Sequence, residues 1–523
     1  MKTRAELEQE NAQIQGELAQ IRQQLLEKES TLEQRDAFIE QLKEALILAR
    51  NRKFAATAES LRSLQSEIFN EPEQDADGVA SESAESVVSD DETDTITVPA
   101  HQRRRGGRKP LPEELPRIDV VHDLADDEKI CPHDGSTLKL MGDKISEQLD
   151  IIPMQIQVIR HIRKQYACPC CEGYLKTAIK PKQPIEKSQA SAGLLAYIAV
   201  SKYADSLPLY RQSTILRRFG IEMDRTTLAN WMVRCGQLVQ PLINRMEDHL
   251  LSAPYVHVDE TPVQVLNEAG KTAQSQSYMW VRSAGPPGKR LILFDYDPSR
   301  SGSVPKRLLA DYHGAIMVDG YKGYEPVCRE QSIIRLGCWV HARRKFVEAN
   351  KVSKNKPTHG NYALKLIAKL YAIEKSLIAV SSDERYAARQ IQSKPIVEKL
   401  RNWLDQTLPK VAPKTALGKA LHYLDHQWPR LIQYLQDGRY PIDNNPVENA
   451  IRPFAIGRKN WLFSTSVQGA KASANLYSLI DTAKANNLES YAYLKQIFAE
   501  LPKVIEYDDV DLLLPGAVKE GDA

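Results

Sequence analysis

Beyond Pro254 the apolar residues change their spacing, from a helical repeat to short strand-like runs. Such runs occur at Tyr255–Val258, Met279–Val281, Arg290–Phe294 and Ala315–Val318, each bounded by Gly, Pro or polar clusters. Strands of this length are closed by turn residues, so the pattern predicts three sequential strands and then a fourth. Residues 183–250 before them and 341–436 after them read as helix. A chain patterned this way cannot be all-helical or all-strand; it must place helices against a sheet.

Two of the runs end in an acid, Asp259 and Asp319, and a third acid, Glu448, opens a predicted helix in Asn444-Asn445-Pro446-Val447-Glu448. Strands and helix together fit a mixed sheet of the ribonuclease H kind. Its core would be residues 251–340 and 437–475, with 341–436 as a helical insertion. Each acid also has a structural explanation. Asp319-Gly320 is a common turn pair, and Asp259 can close a strand the same way. Asn445, Pro446 and Glu448 fit N-cap, N1 and N3 of a capping box, with Arg452 placed for an i,i+4 ion pair. What favours chemistry is the basic and aromatic company: His341, Arg343, Arg344 and Lys345 follow the strands, and Arg452, Arg458, Lys459 and Trp461 follow Glu448. Oxygen ligands suit hard divalent cations, and a cationic rim suits phosphates. Glu260 and Asp443 are runner-up ligands, each beside a chosen one. Strand alternation puts Asp259 and Glu260 on opposite faces and favours Asp259.

The remaining segments are compositionally distinct. Asn11, Leu18, Leu25, Leu32, Ile39 and Leu46 recur every seven residues, with Leu7, Ile14, Ile21 and Leu42 in the complementary positions. This predicts a parallel coiled coil over residues 1–70, with Asn11 fixing register in a homodimer or higher oligomer. Residues 71–101 form an acidic linker; 71–98 hold ten Asp or Glu and no Lys or Arg, too few large apolar side chains to order themselves. The basic segment 102–125 carries Arg103, Arg104, Arg105, Arg108 and Lys109 around two glycines. It suits either a narrow A·T-rich minor groove or phosphates without preference. Within 126–182, Cys131 and His133, then Cys168 and Cys171, have the look of a small zinc-ribbon-like module, with Asp134 where a second Cys is expected. A metal-free ββ module with reduced Cys fits the same residues. Within 183–250, Gly220 and Thr226 suggest a helix-turn-helix in which Arg225, Thr227 and Asn230 would face DNA; plain helical packing is the other reading. Residues 476–523 read as a helical tail. The whole is a multidomain α+β chain.

The chain has 523 residues, net charge +2 and seven Cys. An odd Cys count in a long chain argues against a disulfide framework. The expectation is a cytoplasmic, nucleoid-associated protein: no run of eighteen apolar residues suggests a membrane span, and the first residues lack a signal-peptide pattern. No phosphate-binding Gly-x-x-x-x-Gly-Lys motif implies ATP.

These motifs together resemble the insertion sequence 66 family of transposases, of the DDE class. The resemblance spans nearly the whole chain. It takes in the coil ending in Arg52-Lys53-Phe54, the Arg-Gly-Gly-Arg-Lys-Pro-Leu-Pro segment, the Cys knuckles and Val258-Asp259-Glu260-Thr261. It continues through Tyr296-Asp297-Pro298-Ser299-Arg300, Val318-Asp319-Gly320-Tyr321 and His341-Ala342-Arg343-Arg344. It ends with Asp443–Pro453, the most specific motif, and Ala485-Asn486-Asn487-Leu488-Glu489. The resemblance implies that Asp259, Asp319 and Glu448 hold two Mg²⁺ ions, replaceable by Mn²⁺. These would cut transposon-end DNA and join its 3′ ends to target DNA. Arg343, Arg344, Arg452 and Lys459 would neutralise phosphates, and structural Zn²⁺ and accessory element-encoded proteins are further expectations. A non-catalytic DNA-binding regulator and a coiled-coil scaffold are the other readings.

Overall fold

The computed structural model describes residues 155–167, 175–352, 359–504 and 507–515, with scattered positions between 15 and 46. Among the latter, Leu18, Ile21, Ile39, Leu42 and Leu46 are helical with exposed side chains. The acidic linker, the basic segment with Arg103, Arg104, Arg105, Arg108 and Lys109, and the metal candidates Cys131, His133, Cys168 and Cys171 lie outside the described residues. The chain divides into two compact units, one of residues 87–179 and the other of residues 1–86 and 180–523.

In the smaller unit, β1 (Gln165–Ala167) and β2 (Leu175–Thr177) pair antiparallel, with Tyr166 opposite Lys176. Arg163 Nε donates to the Ala178 carbonyl at 2.6 Å, extending the ladder by a side chain.

From residue 180 onward the larger unit carries four helices in succession: α1 (Ala192–Tyr203), α2 (Leu209–Arg218), α3 (Arg225–Leu238) and α4 (Gln240–Leu251). Ser191 caps α1 by accepting from Leu194 N–H at 3.2 Å, which satisfies one of the orphan donors of a helix start. Gly220, at φ 77°, makes the left-handed turn between α2 and α3 that side chains disfavour. Thr226 lies inside α3; its N-cap is Asp224.

Five strands then form one sheet: β3 (Tyr255–Asn267), β4 (Gln276–Ala284), β5 (Leu291–Asp297), β6 (Ala315–Val318) and β7 (Ile334–Gly337). Their spatial order is β5-β4-β3-β6-β7. The first three run antiparallel as a meander, and β3, β6 and β7 are parallel. Short helices α5 (Ser303–Leu308) and α6 (Glu325–Glu330) lie in the connections that lead to β6 and β7. After β7 come α7 (Trp339–Val352), α8 (His359–Ser376), α9 (Ser382–Ala388), α10 (Lys394–Thr407) and α11 (Ala416–Leu431), then α12 (Asn445–Trp461). A three-residue β8 (Ser464–Ser466) adds to the far end of β3, and α13 (Val467–Ala485) and α14 (Ser490–Glu500) follow.

Helices cover both faces of the sheet. β6 shows why it has no polar residue: Ile316 and Val318 join the core built with α1, α3, α4 and α12–α14, while Ala315 and Met317 join the one built with α7, α8, α10 and α11. A strand buried on both sides reads as an unbroken apolar run.

α13 closes the β5 edge with side chains spaced one turn apart. Ser478 Oγ accepts from Phe294 N–H at 2.8 Å, Thr482 Oγ1 accepts from Ile292 N–H at 2.9 Å and donates to its carbonyl at 3.0 Å, and Asn486 bonds both backbone groups of Arg290. An edge strand otherwise exposes these groups to pairing with another chain.

Candidate active site

Asp259 and Asp319 are brought together by register. β3 and β6 are parallel, with Val256 opposite Ile316 and His257 opposite Met317. Two residues past that last pair come Asp259, still within β3, and Asp319, the first residue beyond β6. Glu448 reaches the same place from the first turn of α12. Asn444, immediately before that helix, places it: its side chain bonds His257 at 3.0 Å and the Val258 carbonyl at 3.1 Å.

The helix start differs from the capping box expected over Asn445 and Glu448. The N-cap is Asn444, with no side-chain cap bond, and α12 begins at Asn445. Asn444's side chain is committed to β3, so it cannot bond the helix N–H groups. Glu448 is buried, its side chain 7 % exposed, and turns outward from the helix: Oε2 lies 3.3 Å from Arg344 Nη2, and Oε1 lies 3.6 Å from His341 Nδ1.

The electrostatics follow from this crowding. Burial pushes the Asp259 carboxyl well above its ordinary range, and the charges of Glu260, Asp319 and Glu448 add to the shift. Its Oδ1 accepts from Glu260 N–H at 2.9 Å. Glu448 Oε1 is buried without a hydrogen-bond partner. Three mutually repelling carboxylates, one with an orphaned oxygen, fit a divalent cation better than they fit one another.

The runner-up acids are otherwise engaged. Glu260 is buried against Arg300, whose Nε donates at 2.7 Å, and Tyr324, whose hydroxyl donates at 2.7 Å. Asp443 accepts from the backbone and side-chain amides of Asn445, both at 3.1 Å. Arg335 Nη2 donates to the carbonyls of Asp319 and Tyr321 at 2.9 and 2.8 Å, fixing the turn after β6.

The expected cations separate by burial. Arg344 faces Glu448, and Arg458 Nη1 donates to Thr261 Oγ1 at 3.2 Å. Lys459 is exposed and Arg452 half-buried. Arg452 lines an open cleft of about 550 Å³ with Asp205, Ser206, Asn449 and Asn460. Arg343 is only 4 % exposed, which removes it from the rim that the His341–Arg344 segment was expected to supply: one turn of α7 cannot present adjacent residues to the same side. On α3, Arg225 and Asn230 are exposed and Thr227 is half-buried.

Sequence reasoning missed Asn444, His257, Arg300, Tyr324 and Cys338, whose Sγ lies within 4.8 Å of ligand atoms of His341 and Glu448. Arg300 and Asn444 lie inside motifs already singled out, which was the available signal. Tyr324 and Cys338 carried none.

Among the described residues no helix is long and apolar enough to cross a membrane. Comparison with known families matches residues 187–472 to a model described as Transposase IS66 family, which takes in Asp259, Asp319 and Glu448. Residues 128–172 match a zinc-finger binding domain of transposase IS66, residues 41–120 a model described as Transposase C of IS166 homeodomain, and residues 478–515 the IS66 C-terminal element. Two similar proteins of Sinorhizobium fredii (strain NBRC 101917 / NGR234) carry the names uncharacterized protein y4jD and uncharacterized protein y4qI. The first is 33 % identical over 402 residues, covering 75 % of this chain and 78 % of its own. The second is 30 % identical over 441 residues, covering 81 % of each. A family model over more than half the chain, with the site motifs inside it, leads to one conclusion: the chain belongs to the transposase IS66 family.

Proposed function

We propose that this chain is a DDE transposase that binds transposon ends, cleaves phosphodiester bonds and joins the 3′ ends to target DNA. The observation that carries this is the convergence of Asp259, Asp319 and Glu448 from β3, β6 and α12, marked by the upward shift of Asp259. A three-stranded meander followed by two parallel strands supports a ribonuclease H-like core.

Asp259, Asp319 and Glu448 are the residues to hold Mg²⁺, or Mn²⁺ in its place. Bound there, a pair of such ions supplies Lewis-acid activation of water and stabilisation of the departing 3′ oxygen. The protein's own groups do the rest. Asn444 and Arg335 set the strand and turn that carry the carboxylates. Arg344, Arg452, Arg458 and Lys459 offset phosphate charge, which is where most nucleic-acid affinity originates. Arg300 and Tyr324 hold Glu260 back from the cluster. No side chain acts as a nucleophile in this scheme. The Cys-rich module with Zn²⁺, the basic segment, and Arg225, Thr227 and Asn230 of α3 would contribute DNA contacts, and the heptad segment a homodimer interface.

The test is strand cleavage and transfer on transposon-end duplex DNA with Mg²⁺. Asp259→Asn, Asp319→Asn and Glu448→Gln should each lower the rate by at least about a hundredfold while DNA binding persists. Full activity in any of the three removes that residue from the triad. Binding by the wild-type chain without nicking at any divalent ion supports a regulatory protein instead.

A further inference from the structure

Behind Glu448 lies a second set of ligand atoms of a different chemical kind. Cys338, His341 and Glu448 each direct one potential ligand atom into a common space, all within 4.8 Å of one another. They come from the β7–α7 junction and from α12. Two ligand-type atoms of these residues are orphans: His341 Nδ1 and Glu448 Oε1 are buried without hydrogen-bond partners. They face each other at 3.6 Å, beyond a hydrogen bond. Cys338 Sγ accepts the Asn444 N–H at 3.3 Å, while burial and the charges of Glu448 and Asp443 hold the thiol well above its ordinary range, so the sulfur stays a thiol until an ion binds.

This donor set is wrong for Mg²⁺, which takes oxygen, and right for a borderline or soft ion, because thiolate and imidazole select Zn²⁺ and its analogues. We propose that Cys338 Sγ, His341 Nδ1 and Glu448 Oε1 form a binding site for a thiophilic divalent cation, Zn²⁺ or Co²⁺, distinct from the Mg²⁺ site of the three carboxylates and competing with it for Glu448. Ligand atoms on a tetrahedral Zn²⁺ stand roughly 3.3–3.8 Å apart at the usual bond lengths, so about 1 Å of side-chain closure completes the set. Binding releases the Cys338 thiol proton to solvent and leaves one thiolate, one carboxylate and one neutral imidazole around the ion. No redox step is involved. The binding itself does not depend on the proposed transposase chemistry. Its consequence does: an ion held here withdraws Glu448 from Asp259 and Asp319, so Zn²⁺ would oppose Mg²⁺ at the active centre.

The experiment uses the full chain loaded with Zn²⁺ and freed of excess metal by gel filtration. The segment that matches the zinc-finger model carries Cys residues that would also take up Zn²⁺, so the informative quantity is a difference. Cys338→Ser and His341→Ala should each retain about one Zn²⁺ per chain fewer than wild type, and with Co²⁺ the Cys338→Ser protein should lose part of the sulfur-to-cobalt absorbance. Equal stoichiometry in wild type and either folded variant overturns the site. Zinc anomalous scattering from wild-type crystals tests the site without a variant: a peak between the three ligand atoms supports it, and none at millimolar Zn²⁺ refutes it. Mn²⁺ binding at Asp259 and Asp319 in the same crystals reports separately on the catalytic reading, so failure of one is not failure of the other.

Discussion

Asn444 binds His257 across 3.0 Å and the neighbouring Val258 carbonyl across 3.1 Å, so a single buried amide spans two consecutive residues of β3. The amide nitrogen donates to the carbonyl, which leaves Oδ1 to accept and assigns the imidazole proton to Nδ1. Burial pushes the His257 pKa down to about 3, so the ring is neutral and holds that tautomer. Two residues beyond His257 is Asp259; four residues beyond Asn444 is Glu448. The bond joins the strand and the helix that deliver two members of the carboxylate cluster.

Asn444→Ala should therefore damage the site more than its distance from solvent chemistry suggests. It leaves the Val258 carbonyl and the His257 ring Nδ1–H without the Asn444 amide, each loss costing about 1–3 kcal/mol when buried. Misplacing Glu448 by an ångström should lower strand cleavage on the order of a hundredfold. Denaturant unfolding and a cleavage assay on the same preparation read the two effects. Stability within about 0.5 kcal/mol of wild type together with full cleavage contradicts the assignment.

Glu260 tests which neighbour holds metal. Its carboxylate is satisfied by Arg300 and Tyr324, whereas among the described residues Asp259 accepts only the Glu260 N–H. Glu260→Gln should thus keep Mn²⁺ binding measurable by calorimetry, while Asp259→Asn abolishes it. The opposite order exchanges their roles.

The β5 edge makes a stability prediction. Thr482 bonds both backbone groups of Ile292, and Thr482→Val keeps the shape while removing the hydroxyl. A loss of about 1–3 kcal/mol in denaturant unfolding is expected for the groups left buried and unpaired, with Thr482→Ser recovering most of it. No loss in Thr482→Val means water replaces the hydroxyl.

Where α3 crosses α13 the helices touch through Gly236: a Cβ there would sit 2.5 Å from Ala472 Cα. Gly236→Ala must push the helices apart, and overpacking of this kind costs about 1–3 kcal/mol. A lower melting temperature is the expected result, and an unchanged one shows that the crossing is looser than it looks.

Those residues also show what the sequence could and could not convey. Strands β3 to β6 were legible as apolar runs, but the first was read too short: β3 continues past Asp259 to Asn267, so Asp259 pairs with Val281 inside the strand instead of closing it at a turn. β7 was not legible: Arg335 stands in the middle of Ile334–Gly337, and its burial is made tolerable by carbonyls of a distant turn. Asp259, Asp319 and Glu448 were singled out through their motifs and the fold brings them near one another, but the helix start was misread. Asn444's side chain is engaged by β3, a partner 187 residues away, and no local pattern encodes that. Arg343 and Arg344 look equivalent in sequence, yet helix geometry buries one and turns the other to Glu448.

Asp481 supplies a pH dependence separable from the active site. It is 5 % exposed on α13, its Oδ2 has no hydrogen-bond partner, and burial pushes its pKa up to about 7, with Lys484 opposing weakly. The unfolded carboxyl titrates near the ordinary value of about 3.9. Between these pH values the folded chain holds a proton that the unfolded chain has released. Its contribution is thus fullest below about pH 4, declines as pH rises, and is gone above about pH 7. At roughly 1.4 kcal/mol per pKa unit the full change is about 4 kcal/mol. His257 acts with the opposite sign, favouring the fold as pH rises from about 3 to its unfolded value near 6.5, so the parent's own profile mixes these two with other shifted groups such as Asp259. Subtracting the profile of Asp481→Asn isolates one of them: the variant should gain on the parent steadily from pH 4 to pH 7 and hold that gain at pH 8. A difference that stays flat across that range shows that Asp481 is ionised in the folded chain.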